Sequence, residues 1–323
     1  LEKSGRLETR FTPAQDRVLI SGAWRKRVHH WLFQETLPLW SATGVDERYG
    51  GFHEALGFDA VPKAKPKRMR TMARQVYAFA SAKEWGWDGP ADRLIAHGID
   101  FMAGKGRNER CGWFRALNID GSVAEAIGDA FDDTFVLLAL AHAHLCGNPE
   151  ALRLGKETFD FLAAHLEDRR LKGFLETSSG EDTFRRSNPH MHLLEAFLAW
   201  YRVTRDRTHL RRASRIIELF RGHFFDPDSW TLGEFFDDEW RPAAGQQGQW
   251  TEPGHHFEWA SLLMDFARDS GQSDLTAYAR KLYASAVANG LNRSTGLAYG
   301  AVSRQGLPLD KISRSWPQTE AIK

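Results

Sequence analysis

Two kinds of helix alternate along this chain, and that alternation restricts the fold more than any single motif does. Helical spacing of apolar residues predicts helices over Asp16–Trp40, Thr71–Trp85, Ala91–Ala103, Asp129–Leu145 and Ala151–His165. It continues over Pro189–Tyr201, His209–Phe224, His255–Ala267 and Asp274–Ala288, and a further helix starts at Trp316. In the first, Val18, Leu19, Trp24, Val28, Trp31, Leu32 and Leu39 mark one or two apolar faces. The second, fourth, sixth and eighth are apolar nearly all round, as in Phe135–Ala141, Leu193–Trp200 and Phe257–Phe266. The third, fifth, seventh and ninth are striped: Arg211, Arg212, Arg215 and Glu218 lie beside Ile216, Ile217 and Leu219. A helix apolar on every side is buried and a striped one faces water, so the pattern predicts two concentric helical rings.

The connections alternate as well. Gly147-Asn148-Pro149 and Arg268–Ser273 are short links, whereas Gly112–Ser122, Leu232–Pro242 and Gly296–Gly306 are long and read as hairpins. Asp120-Gly121 is the clearest turn signal among them. Such short strands cannot build a sheet-based fold. Polar residues recur early in each buried helix at roughly 60-residue intervals, longer than the period of a tetratricopeptide solenoid. They are Arg74, Asp132, Asn188 with His192, His255 with Glu258, and Gln318 with Glu320. The expected fold is all-α, an (α/α)6 toroid of helical hairpins forming a single domain over residues 1–323. The fifth buried helix is only starting at Lys323, so a six-hairpin barrel would need about 60 further residues. The chain is therefore expected to lack its last helices.

Composition narrows the functional classes. The formal net charge of +1 gives no basic field for nucleic acid. The one basic run, Lys63–Arg70, reads as a solvated loop ahead of a helix. No stretch approaches the ~20 apolar residues that span a membrane, and the charged beginning of the sequence has no apolar signal core. Two cysteines, Cys111 and Cys146, share no spacing motif, which points to a reducing, cytoplasmic setting without disulfides. Aromatic residues reach 12%, and flat rings suit a sugar-stacking site as well as a core.

Polar side chains inside apolar helices are costly unless paired or used, and here they gather at the ends reached from the long loops. In Gly254-His255-His256-Phe257-Glu258-Trp259, His255 and Glu258 are three apart and share a helix face. An imidazole there can exchange a proton near neutrality while a carboxylate orients it; the alternative is a satisfied core histidine. In Asn188-Pro189-His190-Met191-His192, Asn188 suits an N-cap and Pro189 a first turn, with His192 one turn deeper. Arg74 interrupts an apolar stripe and needs acceptors, either Asp132 and Asp133 or a ligand's oxygens. His190, His192, His255 and His256 could be considered for a metal, but no HExxH or CxxC spacing occurs and His-x-His on a helix points its rings apart. No glycine-rich phosphate loop is present. The reading is therefore one without metal or cofactor, with no nucleic-acid or membrane partner and compatible with a homodimer.

An ordered series of motifs resembles the N-acylglucosamine 2-epimerase superfamily over nearly the whole chain. It comprises Gly50-Gly51-Phe52, Ala73-Arg74-Gln75-Val76-Tyr77, Gly112-Trp113-Phe114, Asn188-x-x-Met191-His192, Pro253-Gly254-His255-x-x-Glu258 and Trp316-Pro317-Gln318-Thr319-Glu320. The resemblance implies a metal-independent sugar isomerase or epimerase of the barrel type. A histidine matching His255 then works with a second one, expected beyond Lys323, through an enediol. It implies a catalytic group of His255, Glu258, His192 and Arg74, and sugar contacts from Asn188, Trp113, Phe114, Trp316 and Glu320. Phe114 stands where many members carry a tyrosine. Trp259-Ala260-Ser261-Leu262 after Glu258 is more similar to the aldose–ketose isomerase branch (mannose/fructose type) than to the epimerases.

Two rival classes remain at this level. An inverting glycoside hydrolase would enlist a carboxylate pair from Asp132, Asp133, Asp237 and Glu258. A non-enzymatic scaffold would show an apolar concave surface in place of a His/Arg/Glu-lined mouth.

Overall fold

The computed structural model describes residues 22–108, 112–179 and 184–323. A first helical stretch runs through α1 (Gly22–His30), a π-type turn at Trp31–Thr36 and α2 (Leu37–Thr43). Four helical pairs follow: α3 (Met69–Glu84) with α4 (Ala91–Lys105), α5 (Ala130–Leu145) with α6 (Ala151–Phe161), α7 (Ser187–Thr204) with α8 (Arg207–Leu219), and α9 (Pro253–Ser270) with α10 (Leu275–Asn289). The short α11 (Ser315–Ile322) closes the described chain.

The predicted alternation holds. Within each pair the first helix packs against its partner and also against the first helix of the next pair, so α3, α5, α7, α9 and α11 form a continuous inner row. In α5, Thr134–Ala141 is buried without interruption, as expected for a helix with neighbours on every side. The outer helices α4, α6, α8 and α10 bury one face each.

The long loops fix the direction of the inner row. Each reaches back, after its outer helix, to the short strand that leads into the inner helix of the same pair. Residues 116–117 pair with Lys67–Arg68, Thr177 bridges Asp129, Phe235–Phe236 pairs with Arg185–Arg186, and Val302–Ser303 pairs with Trp250–Thr251. At the same places the first amide of α3, α5 and α7 donates to the carbonyl of Arg115, Glu176 and Glu234 in turn. All the inner helices therefore begin at the loop-bearing end, and their first turns form its mouth.

Four expectations differ from the structure or reach beyond the described residues. Asp16–Ser21, with Val18 and Leu19, lie outside the described residues, and Trp24, Val28 and Trp31 of the first helix are 54–56% exposed. The pattern marks an apolar face but does not supply a cover for it. Second, Lys63–Arg70 is not simply a solvated loop. Lys67 is 1% exposed, and its ammonium donates to Asp46 at 2.7 Å and to the Gly50 carbonyl at 2.6 Å, which offsets the cost of burying it. Third, the last hairpin lies at Ala301–Ser303 and Pro308–Asp310, a few residues later than the turn signals suggest. Fourth, α7 begins at Ser187, with Arg186 in the cap position, so Asn188 lies inside the first turn and does not cap it. Cys111 lies outside the described residues; Cys146 is a free thiol. Among the described residues, no helix is long and apolar enough to cross a membrane.

Candidate active site

The mouth of the inner row gathers most of the polar residues singled out above. His255 lies in the first turn of α9, buried, and its Nδ1–H donates to both carboxylate oxygens of Glu234 at 3.0 Å. Glu252, just before α9, approaches the same nitrogen at 3.8 Å. Burial alone would lower the pKa of His255, but the charges of Glu234 and Glu252 and the hydrogen bond from Glu234 outweigh it, raising the imidazole to about 10. The other ring nitrogen makes no hydrogen bond among the described residues. Trp316 of α11 covers the ring, with centroids 5.2 Å apart. Gly254 makes this approach feasible, because a Cβ there would collide with the Trp316 indole and press on Pro317.

A second cluster lies one turn deeper. His192 of α7 has its Nδ1 3.3 Å from Glu195 on its own helix and 3.5 Å from Glu258 of α9. Burial raises the Glu258 carboxyl, with Glu195 adding to the effect and His192 opposing it. For Glu195, burial acts upward but the His192 hydrogen bond prevails and lowers it. Phe135 is the floor between this cluster and α3: the His192 ring lies 4.7 Å from it, and the Arg74 guanidinium stacks on it at 3.9 Å. Arg74 is open at the mouth rather than buried. Of the acceptors proposed for it, Asp132 is taken by Arg70 at 2.7 Å and the Asp133 carboxylate is buried without a hydrogen-bond partner, so Arg74 forms no ion pair among the described residues. Asn188 contributes an amide oxygen that is buried without a partner, as a pocket-facing acceptor would be.

The carboxylate that orients His255 is Glu234, not Glu258. Helical side chains lean toward the helix N-terminus, so His255 tips back over the start of α9 while Glu258, a turn later, reaches α7. Glu234 escaped sequence reasoning because it precedes His255 by 21 residues in a loop. Glu195 was hidden in the apolar run Leu193–Trp200. Phe135 looked like ordinary core. Trp113 is not brought to this cluster: its indole donates to Thr158 of α6 at 2.9 Å and is stacked by Arg107, which makes it part of the wall between helices. Phe114 is a buried member of the apolar core. Glu320 of α11 is held by Lys323 at 3.4 Å. His190 and His256 are structural clamps. In each, Nδ1–H donates to the carbonyl four residues earlier, Arg186 or Glu252, and Nε2 accepts from a loop amide, Phe174 or Leu232. Burial lowers both, His190 to about 4.

His192, Glu195 and Glu258 present donor atoms within 4.8 Å of one another, the one set among the described residues that a cation could bridge. Their mutual hydrogen bond and ion pair already account for that spacing.

A sequence model described as N-acylglucosamine 2-epimerase (GlcNAc 2-epimerase) matches residues 50–323. The chain belongs to the N-acylglucosamine 2-epimerase family. A mannose-6-phosphate isomerase of Rhizobium meliloti is 36% identical over 300 residues, covering 91% of this chain and 76% of that protein. A D-mannose isomerase of Thermobifida fusca is 31% identical over 328 residues, covering 93% and 78%. Among solved structures, a cellobiose 2-epimerase from Spirochaeta thermophila superposes with a TM-score of 0.81 at 25% identity, over 92% of this chain and 77% of that one. The family assignment makes the protein an isomerase or epimerase.

Proposed function

We propose that the protein is an aldose–ketose isomerase of the mannose/fructose type, built on an (α/α)6 barrel whose mouth is the site described above. The observation that carries the reading is His255, a buried imidazole tied by one nitrogen to a carboxylate while the other makes no hydrogen bond among the described residues, at the helix-start end that also holds Arg74, His192, Glu258 and Trp316. Two isomerases more than 30% identical support the aldose–ketose direction.

The chemistry requires a base and an acid close to two adjacent carbons. One group takes the proton from C2 of the open-chain aldose while an acid protonates O1, giving an enediol. A proton is then returned to C1 and the O2 hydroxyl releases its own, leaving the ketose. Positioned proton-transfer groups contribute ~10²–10⁴-fold each. His255 is one such group in this reading. Arg74 donates to hydroxyl or carbonyl oxygens, the unpartnered Asn188 oxygen accepts from a hydroxyl, Trp316 and Glu320 form the wall, and Glu258 with His192 completes the opposite side. No role is left for Trp113, which is engaged with Thr158.

A 2-epimerase shares the first half of this path and differs only in where the proton returns. The superposition on a cellobiose 2-epimerase keeps that second reading in view. Proton NMR of the full-length protein with D-mannose in deuterated buffer separates them. Fructose carrying deuterium supports the isomerase, and glucose as sole product supports the epimerase. Turnover confined to phosphorylated or sulfonated sugars would overturn the plain-mannose substrate. No turnover with any sugar would overturn the reading itself.

A further inference from the structure

The pairs of the fold repeat an electrostatic device at the mouth, and the fourth pair breaks it. The residue immediately before each inner helix is Arg68, Asp129, Arg186 or Glu252. In the first three cases the preceding loop supplies the opposite charge: Glu54 to Arg68, Arg115 to Asp129 at 2.8 Å, and Glu176 to Arg186 at 2.6 Å. The loop positions are equivalent, since the carbonyls of Arg115, Glu176 and Glu234 each accept from the first amide of the preceding inner helix. The fourth loop position is Glu234 and its partner position is Glu252, so like charges meet. Both are largely buried, and His255 stands against them, 3.0 Å from one and 3.8 Å from the other.

We infer that Glu234 is the positioning residue of His255, fixing its ring through Nδ1 and supplying the counter-charge that makes it a proton donor when the sugar arrives. This rests on the proposed function for its catalytic half. Two like carboxylates in one buried place demand a cation, and no arginine or lysine fills that position as it does in the other pairs. The other charged groups around the ring are Glu258 on α9, Arg74 on α3, His192 and Glu195 on α7, Glu320 on α11 and Arg314 ahead of it, which acts on Glu252. Ser187 at the start of α7 donates its hydroxyl to Glu234 at 3.2 Å, which fixes the carboxylate from the far side. The elevated pKa of His255 agrees with the arrangement. With Nδ1 pinned, the other nitrogen is left without a protein partner among the described residues, as a general acid needs.

The test uses Glu234→Gln and Glu234→Asp in the full-length protein. Nitrogen-15 NMR of the His255 ring, without sugar, reads the pairing directly. In E234Q the titration midpoint of His255 should fall by two or more pH units, and E234D should restore most of it. With the isomerised sugar, kcat of E234Q should fall about 10²-fold with KM within about threefold, the scale of losing a residue that orients an active group. The alkaline limb of its pH–rate profile should also shift toward neutrality. An unchanged His255 midpoint in E234Q overturns the inference. So does a kcat loss with no movement of the pH profile, which would mark Glu234 as purely structural. If the wild type isomerises no sugar, the functional reading falls, and the NMR titration still decides the pairing.

Discussion

The third and fourth helical pairs use the same backbone frame for opposite ends. In the third, Glu176 holds Arg186 by two contacts, to its backbone amide and its guanidinium, and the pair is a closed ionic lock. In the fourth, Glu234 and Glu252 occupy the corresponding places and leave the balancing charge to His255. The histidine clamps are the same in both pairs: His190 and His256 each join a carbonyl before their helix to a loop amide, and burial keeps both neutral. Thus neighbours in sequence, His255 and His256, carry opposite protonation preferences: the carboxylate hydrogen bonds of His255 outweigh its burial, while His256, hydrogen-bonded only to backbone, is lowered by burial. The contrast separates what every pair needs in order to fold from what only the fourth provides.

The largest test of that contrast removes the group peculiar to the fourth pair. His255→Asn should lower kcat/KM by about 10³-fold or more, measured by steady-state kinetics with the isomerised sugar, since it deletes a proton-transfer group. A glycoside hydrolase at this site would keep most of its rate. Glu252→Arg rebuilds the lock of the third pair in the fourth. It should draw Glu234 away from His255 and cost about 10²-fold in kcat, with a urea midpoint no lower than wild type.

The pH dependence of stability follows from the sign of the His255 shift. Its folded value, about 10, lies above the ordinary imidazole value of about 6.5. Its contribution is therefore complete below about pH 6.5 and is lost as pH rises through 10. Urea unfolding between pH 7 and pH 10 should show that decline in the wild type and a flatter course in E234Q. The smallest expected effect on catalysis comes from Glu176→Gln. It should leave the pH–rate profile in place and kcat within about twofold while lowering stability by about 1–3 kcal/mol, the scale of a partly buried charged hydrogen bond.

Much of this was legible in the sequence, for a physical reason. A helix surrounded by others must be apolar all round, so the inner row could be read from Phe135–Ala141 and Phe257–Phe266 alone. The same logic marked His192, His255 and Glu258, because a polar group in such a helix has to be used. What stayed hidden depends on loops that fold back. Glu234 belongs to a hairpin whose docking onto α7 is set by strand pairing and not by helical period. The start of α7 was misplaced because Asn188-Pro189 imitates a cap, whereas the strand at Arg185–Arg186 runs straight into the helix. Trp113 was drawn toward the site by the glycine–tryptophan motif, although its indole has a nearer partner in Thr158.

The common direction of the inner helices has a consequence for the field at the mouth. Each helix N-terminus carries the equivalent of roughly half a positive charge from its aligned peptide dipoles, and α3, α5, α7, α9 and α11 all present that end to one opening. Five carboxylates, Glu195, Glu234, Glu252, Glu258 and Glu320, surround the same opening. In the proposed reaction, carboxylates gathered this closely would repel the negative oxygen that develops when a sugar loses its C2 proton. The converging dipoles act against that repulsion together with the cations of Arg74 and Lys323, which face the same carboxylates. In that reading, the electrostatics of proton transfer rests on the backbone as well as on side chains.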